Sequence, residues 1–199
     1  MGTPEGVPFH PVTMDLAGLC RHLVQEAAFL LKEADIQLVY QSDLSSLLIP
    51  GDPDLLQKLL LTLLSNGAKA GPGGTVSLTV SSRKGWAIVT LGSRGEGLDD
   101  AGLEALLAQD VQPEIQIPDP RDGAGMGLAI ARHIVSLHGG ALLMEPRKNG
   151  VLSVVSLPLG TLDPRLSVRS PAEEAGGFSP VLMELSDVLP LSLFEMMDD

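Results

Sequence analysis

Between residues 15 and 32 the apolar positions Leu16, Leu19, Cys20, Leu23, Ala27, Leu30 and Leu31 recur at helical spacing. That period predicts an amphipathic helix with one face turned to a core, and Asp15 is placed to cap it. Residues 36–40 alternate as a strand does, and residues 46–49 give a second short strand. Pro50-Gly51-Asp52-Pro53 then turns the chain into a second helix, with Asp52 as its cap and Pro53 in its first turn. Its apolar face carries Leu55, Leu56, Leu59, Leu60, Leu63 and Leu64, and it ends near Ala70 at Gly71-Pro72-Gly73-Gly74. Residues 75–82 and 86–91 are β-rich and joined by Arg83-Lys84-Gly85, which predicts a hairpin. A short helix is expected over 99–108. Residues 109–122 hold three prolines and several acids, the composition of a mobile loop. A glycine-led helix and a closing hairpin follow, ending near Gly160.

This order predicts an α+β fold: a two-layer sandwich whose mixed sheet is covered on one face by helices. Residues 1–11 form a loose lead-in, 12–160 the domain, and 161–177 a linker rich in Pro, Ser, Gly and charge. Residues 178–199 are apolar with interspersed acids, and Pro180 and Pro190 limit any helix between them to a short one. This tail either folds onto its own domain or docks another domain or protein.

With 199 residues, 44% of them apolar, the chain can bury a core, but aromatics make up only 3%, so that core is aliphatic. The net charge of −12 argues against nonspecific nucleic-acid binding, which needs a basic surface. The one cysteine, Cys20, cannot form an internal disulfide and sits on an apolar helix face, as a core residue or a reactive thiol. A reducing cytoplasmic setting fits. No apolar run approaches 18 residues and no signal peptide is evident, so no membrane contact is expected from this chain.

The densest chemistry lies in Gly123-Ala124-Gly125-Met126-Gly127-Leu128, which runs into an apolar helix closing on His138-Gly139-Gly140. Glycines permit close approach of backbone to ligand, and the N–H groups and dipole of a helix start favour an anion. A phosphate loop and a simple turn before a core helix both fit these six residues. The longer string is more specific. His138-Gly139-Gly140 is followed by Ala141 to Glu145, then Asn149-Gly150, then Val151 to Leu157-Pro158. From Gly123 to Pro158, 36 positions in order, it resembles the last glycine box of sensor histidine kinases within the GHKL ATPase superfamily. The resemblance implies the Bergerat fold and binding of ATP with Mg²⁺.

Further residues take roles from the same resemblance. The helix segment Leu63-Leu64-Ser65-Asn66-Gly67-Ala68-Lys69 looks like the kinase N box. Asn66 would offer its side-chain oxygen to Mg²⁺, which prefers oxygen ligands and keeps several waters. Lys69 would meet a phosphate. On their own, an Asn and a Lys near a helix end are equally a cap and a solvated cation. Hydrolysing members carry a glutamate general base four residues before the Asn; here that place holds Thr62, which cannot take a proton at neutral pH, so hydrolysis to water is disfavoured. The first glycine box of the family reads D-x-G-x-G, and its Asp accepts from the adenine amine. Here it is Ser93-Arg94-Gly95-Glu96-Gly97, with Gly95 and Gly97 in place and Ser93 for the aspartate. Loss of a charge-assisted hydrogen bond costs roughly 1.5–3 kcal/mol, and adenine selectivity should fall with it. The spacing of Glu96 and Asp99 puts neither where the aspartate belongs. Residues 98–123 would be the ATP lid, with Arg121 its only cation and Glu114, Asp119 and Asp122 opposing it.

None of His10, His22, His133 or His138 stands in a phosphoacceptor motif, and each is read as packing or surface. The implied partners are therefore a histidine phosphoacceptor and dimerisation domain, on another chain or another segment, and a response regulator. Two other functions remain open: a pseudokinase-like interaction module that binds nucleotide weakly, and an anti-sigma-type serine kinase.

Overall fold

The computed structural model describes residues 7–71, 73–93, 96–108, 125–148, 150–161, 179–190 and 192. Two of the elements pair away from the main sheet. Strand β1 (Val12–Asp15) runs antiparallel to β3 (Leu48–Gly51) as a two-stranded ribbon, Val12 opposite Gly51 and Asp15 opposite Leu48. The five-stranded sheet has the order β2-β4-β5-β7-β6, from β2 (Gln37–Gln41), β4 (Thr75–Arg83), β5 (Trp86–Ser93), β6 (Ala141–Arg147) and β7 (Gly150–Pro158). β2 pairs with β4 in parallel and every other pairing is antiparallel, so the sheet is mixed.

Helices α1 (Leu16–Lys32), α2 (Pro53–Ala70) and α4 (Gly125–Leu137) lie on one face of this sheet. Their leucine stripes meet the alternate strand positions Leu38, Val76, Leu78, Val80, Val89, Leu91, Val155 and Leu157 in one core. The period of two sends the other residues of each strand to the far side. There α3 (Asp100–Leu107) covers a second, smaller cluster of Ile88, Leu106, Leu152 and Val154. Arg83 to Asp100 (2.7 Å) and Lys84 to Glu104 tie this helix to the β4–β5 hairpin.

Cys20 is fully buried between α1 and the core, and burial pushes its thiol pKa far up, so it is a packing residue. Asp15 occupies the N-cap position of α1 in extended conformation, but its side chain makes no cap hydrogen bond to the helix: Oδ1 accepts from Leu47 N at 2.9 Å instead. Burial alone would raise its pKa, but the hydrogen bond from Leu47 N and the charge of Arg21 help bring it below the usual value.

Beyond the sheet, α5 (Pro180–Leu185) packs against both α1 and α2. Val181, Leu182, Leu185 and the following Leu189 are buried in the main core. Ser179 Oγ donates to Glu26 Oε1 at 2.9 Å, and Glu184 pairs with Lys58. This part of the tail therefore folds onto its own domain. No described helix is long and apolar enough to cross a membrane.

Candidate functional site

Helix α2 positions the site. Thr62, Asn66 and Ala70 follow one another at a spacing of four and so form one stripe along it. At the first, a Cβ added to Gly127 of α4 would lie 3.3 Å from Thr62 Cγ2, so the glycine box and α2 are in contact there. Thr62 Oγ1 donates to Lys58 O at 2.8 Å, within its own helix. At the third, Ala70 lines a cavity of about 480 Å³. Asn66 lies between them, and its Nδ2 is buried without a hydrogen-bond partner. An unmet buried donor costs about 1–3 kcal/mol, a cost that a polar ligand would remove.

The cavity is walled by the last turn of α2 (Gly67, Ala70, Gly71), by Gly74, Thr75 and Val76 entering β4, by Gly92 and Ser93 ending β5, and by Gly150 and Val151 opening β7. Five of these ten lining residues are glycines. Gly150 has φ of 151°, a conformation side chains rarely adopt, and a Cβ there would stand 3.6 Å from Ser93 Oγ. No ionisable side chain occurs among the described lining residues.

The remaining sequence-derived site residues divide into three groups. Gly125 opens α4, Met126 is 81% exposed beside it, and Leu128 is half-buried one turn along. Gly97 is exposed with open space around it. Gly95, Arg121 and Gly123 lie outside the described residues, as does most of the expected lid. Lys69 is directed elsewhere: its Nζ lies 2.9 Å from Asp187 Oδ2, just past α5. Glu96 folds back so that Oε2 accepts from Ser93 N at 3.3 Å. That carboxylate is 3.5 Å from where a Gly92 Cβ would stand, a position also 3.0 Å from Leu152 Cδ1, which belongs to the cluster under α3. Glu96 is thus on the sheet face away from α2. No group of three or more metal-ligating residues occurs among the described residues.

Sequence reasoning missed the network at the other end of α2. His138 is buried, its Nδ1 donates to Ile134 O at 2.7 Å, and its Nε2 accepts from Asp52 N at 3.0 Å. The imidazole is therefore the neutral Nδ1–H tautomer. Burial lowers its pKa, against the Ile134 carbonyl and the charge of Asp52. Asp52 caps α2, with Oδ1 accepting from Asp54 N and Leu55 N, while Oδ2 accepts from His10 N at 2.8 Å. Phe9 stands edge-on to His138, ring centroids 4.9 Å apart. The glycines after His138 end α4: Gly139 takes φ of 68° and Gly140 N bonds Val135 O at 3.0 Å. A Cβ on Gly140 would fall 2.1 Å from Ser156 O. The sequence signals for this clamp were the Asp52 cap and the His-Gly-Gly string; what they did not show is that the two meet.

Comparison with known proteins agrees with this architecture. Residues 51–161 match the family described as histidine kinase-, DNA gyrase B-, and HSP90-like ATPase. The adaptive-response sensory kinase SasA of Synechococcus sp. is 29% identical over 148 residues, covering 72% of this chain and 38% of SasA. The circadian input-output histidine kinase CikA of Synechococcus elongatus is 29% identical over 186 residues, 92% of this chain and 24% of CikA. The chain thus spans well under half the length of these relatives. Among solved structures, the nucleotide-free catalytic domain of histidine kinase ThkA superposes with a TM-score of 0.59 at 22% identity, covering 77% of this chain and 99% of that one. Full-length ShkA in complex with AMPPNP gives 0.55 at 22% identity, with 85% and 34% covered. The fold is that of histidine kinase catalytic domains, and the chain belongs to the histidine kinase-, DNA gyrase B- and HSP90-like ATPase family.

Proposed function

We propose that this chain contributes the ATP-binding catalytic module of a two-component sensor histidine kinase, acting in the cytoplasm on a histidine held by a separate domain or chain. The observation that carries the reading is the buried, unpartnered side-chain nitrogen of Asn66, set on α2 between the Gly127 contact and the cavity. The nucleotide base takes the cavity and the triphosphate runs along the stripe toward the start of α4. There the first N–H groups and the helix dipole favour phosphate oxygens. Gly125 and Gly127 keep that approach free of side chains.

Asn66 is the residue that would hold Mg²⁺. One neutral oxygen ligand, Oδ1, suits an ion that keeps waters and phosphate oxygens around it, while the buried, unpartnered Nδ2 would donate to a phosphate oxygen. The ion supplies charge neutralisation on the triphosphate. This chain's own part is positioning: it holds the γ-phosphorus for in-line attack by an imidazole nitrogen, the P–N bond forming as the bond to the ADP oxygen breaks. Water is a poor competitor, because Thr62 offers no base and its hydroxyl proton is committed to Lys58 O. Lys69 reaches a phosphate only by exchanging Asp187 for it. A response regulator is the proposed downstream partner, in keeping with ThkA, whose structure is known in complex with the response regulator TrrA.

Thermal melting with and without millimolar Mg·ATP tests this. Ligand that binds only the native state raises the melting temperature. A small rise is expected, which Asn66→Ala abolishes and Ser93→Asp enlarges. No rise in any of the three would favour the second reading, a protein-interaction module. That alternative draws on two observations: the hydroxyl of Ser93 at the base pocket and the capture of Lys69 by the tail.

A further inference from the structure

We infer that Ser153 is a further binding residue of the base pocket: its hydroxyl, at the inner end of the cavity, hydrogen-bonds the edge of the bound adenine. The inference rests on the nucleotide reading above and adds a contact inside the same site. Among the described residues, three buried side-chain polar atoms lack a hydrogen-bond partner: Asn66 Nδ2, Ser153 Oγ and Ser156 Oγ. Both serines lie on β7 and are 1% exposed, so bulk water does not serve them. The alternation of the strand sends them to opposite faces. Val155 and Leu157 share the face of Ser153 and belong to the main core, as does Leu91, its cross-strand partner on β5. Leu152 and Val154 share the face of Ser156 and belong to the cluster under α3. Ser153 is thus on the sheet face that carries α2, and Ser156 is turned away from it.

Val151, two residues before Ser153 on the same face, lines the cavity, and so does Ser93, two residues beyond Leu91. Ser153 therefore stands about 7 Å inward of that wall, two strand residues further along. α2 packs against this strand, and its last turn closes the same cavity from above. Asn66 Nδ2 is the unmet group on the helix side, and Ser153 Oγ is the unmet group on the sheet side. Unmet buried groups are costly and rare, and here two of them flank one void. A base entering edge-on between α2 and β7 brings its leading edge to the hydroxyl. That hydroxyl can donate to a ring nitrogen of adenine or accept from its amine.

Ser153→Ala removes the hydroxyl and little else. Competition against a fluorescent ATP analogue should show its dissociation constant for Mg·ATP raised about three- to tenfold. Adenosine, which carries the base without the phosphates, should lose affinity by the same factor. The melting temperature without nucleotide should stay level or rise, because the group removed was unmet. Ser153→Cys keeps the volume but hydrogen-bonds weakly, and should bind like Ser153→Ala. Ser156→Ala is the internal control: it deletes the equally buried hydroxyl of the opposite face and should leave affinity within about twofold. Unchanged ATP affinity in Ser153→Ala overturns the inference, as does a loss seen with ATP but not with adenosine. An equal loss in Ser156→Ala, wild-type binding by Ser153→Cys, or a fall in melting temperature alongside the lost affinity also overturns it, since each marks a structural role. Folded wild-type protein that does not bind Mg·ATP overturns the nucleotide reading and this inference together. Wild-type binding matched by Ser153→Ala overturns only this one.

Discussion

The two ends of α2 are built on opposite terms. At its N-terminus every group is met: Asp52 caps the helix and takes His10 N, while His138 takes Asp52 N and donates to Ile134 O. Space is as tight as bonding, since a Cβ on Gly51 would stand 2.9 Å from Leu56 Cδ1 and 3.4 Å from His138 Cδ2. At its C-terminus an amide is left unmet and glycines surround a void; a Cβ on Gly67 would find only Val76 Cγ1, at 3.8 Å. One helix thus carries a clamp that holds α4 in place and, four turns away, a cavity with a shortfall in contacts, the property that the proposed nucleotide would use. The stability given up at one end is supplied at the other.

Breaking the clamp should have the largest effect. His138→Ala leaves Asp52 N buried and unpaired and opens a cavity, for a loss of about 3 kcal/mol. In a chain this long that lowers the melting temperature by roughly 6–12 °C. Asp52→Ala removes the cap and should cost about 2 kcal/mol in denaturant unfolding. The same clamp predicts an acid sensitivity. The folded-state pKa of His138 lies below the ordinary 6.5, so above that value neither state binds the proton and stability is complete. As pH falls below 6.5 the unfolded chain takes the proton first, and stability drops until the folded pKa is passed. Urea titrations across this window should show the drop in wild type and not in His138→Ala.

At the other end the sign reverses. Asn66→Leu replaces an unmet donor by an apolar group of similar size and should stabilise the free protein by about 1 kcal/mol while removing its response to Mg·ATP. A destabilised Asn66→Leu would mean the two ends do not differ in the way described. The smallest change is expected from Asp187→Asn, below about 0.5 kcal/mol, because the Lys69 pair is largely exposed. Any gain in ATP affinity in that variant would measure how firmly the tail holds Lys69.

Much of the scaffold was legible because it is local. The leucine stripes of α1 and α2, the Asp52 cap and the Arg83-Lys84-Gly85 turn follow from period and turn chemistry, and the structure has them within a residue or two. What escaped was set by partners distant in the chain. Pro50 and Gly51 look like a turn, yet they end an edge strand whose partner is Val12–Asp15, where a missing N–H is tolerated. His138 looked like packing or surface, because its acceptor role depends on an amide 86 residues away. Lys69 looked free for a phosphate, and its carboxylate lies 118 residues on. At the site, the glycine box and Asn66 stood out as text, but a pocket half of whose described lining is glycine leaves little side-chain signature to read.

The seat of α5 carries a practical consequence. The family match ends at residue 161, whereas Val181, Leu182 and Leu185 complete the core from beyond it. A recombinant protein trimmed to the family's limits would bare an apolar furrow on its outer helices, and bare furrows of that kind promote self-association. Samples prepared for ligand work should therefore retain the chain through Leu189, or their clumping will be mistaken for a property of the nucleotide site.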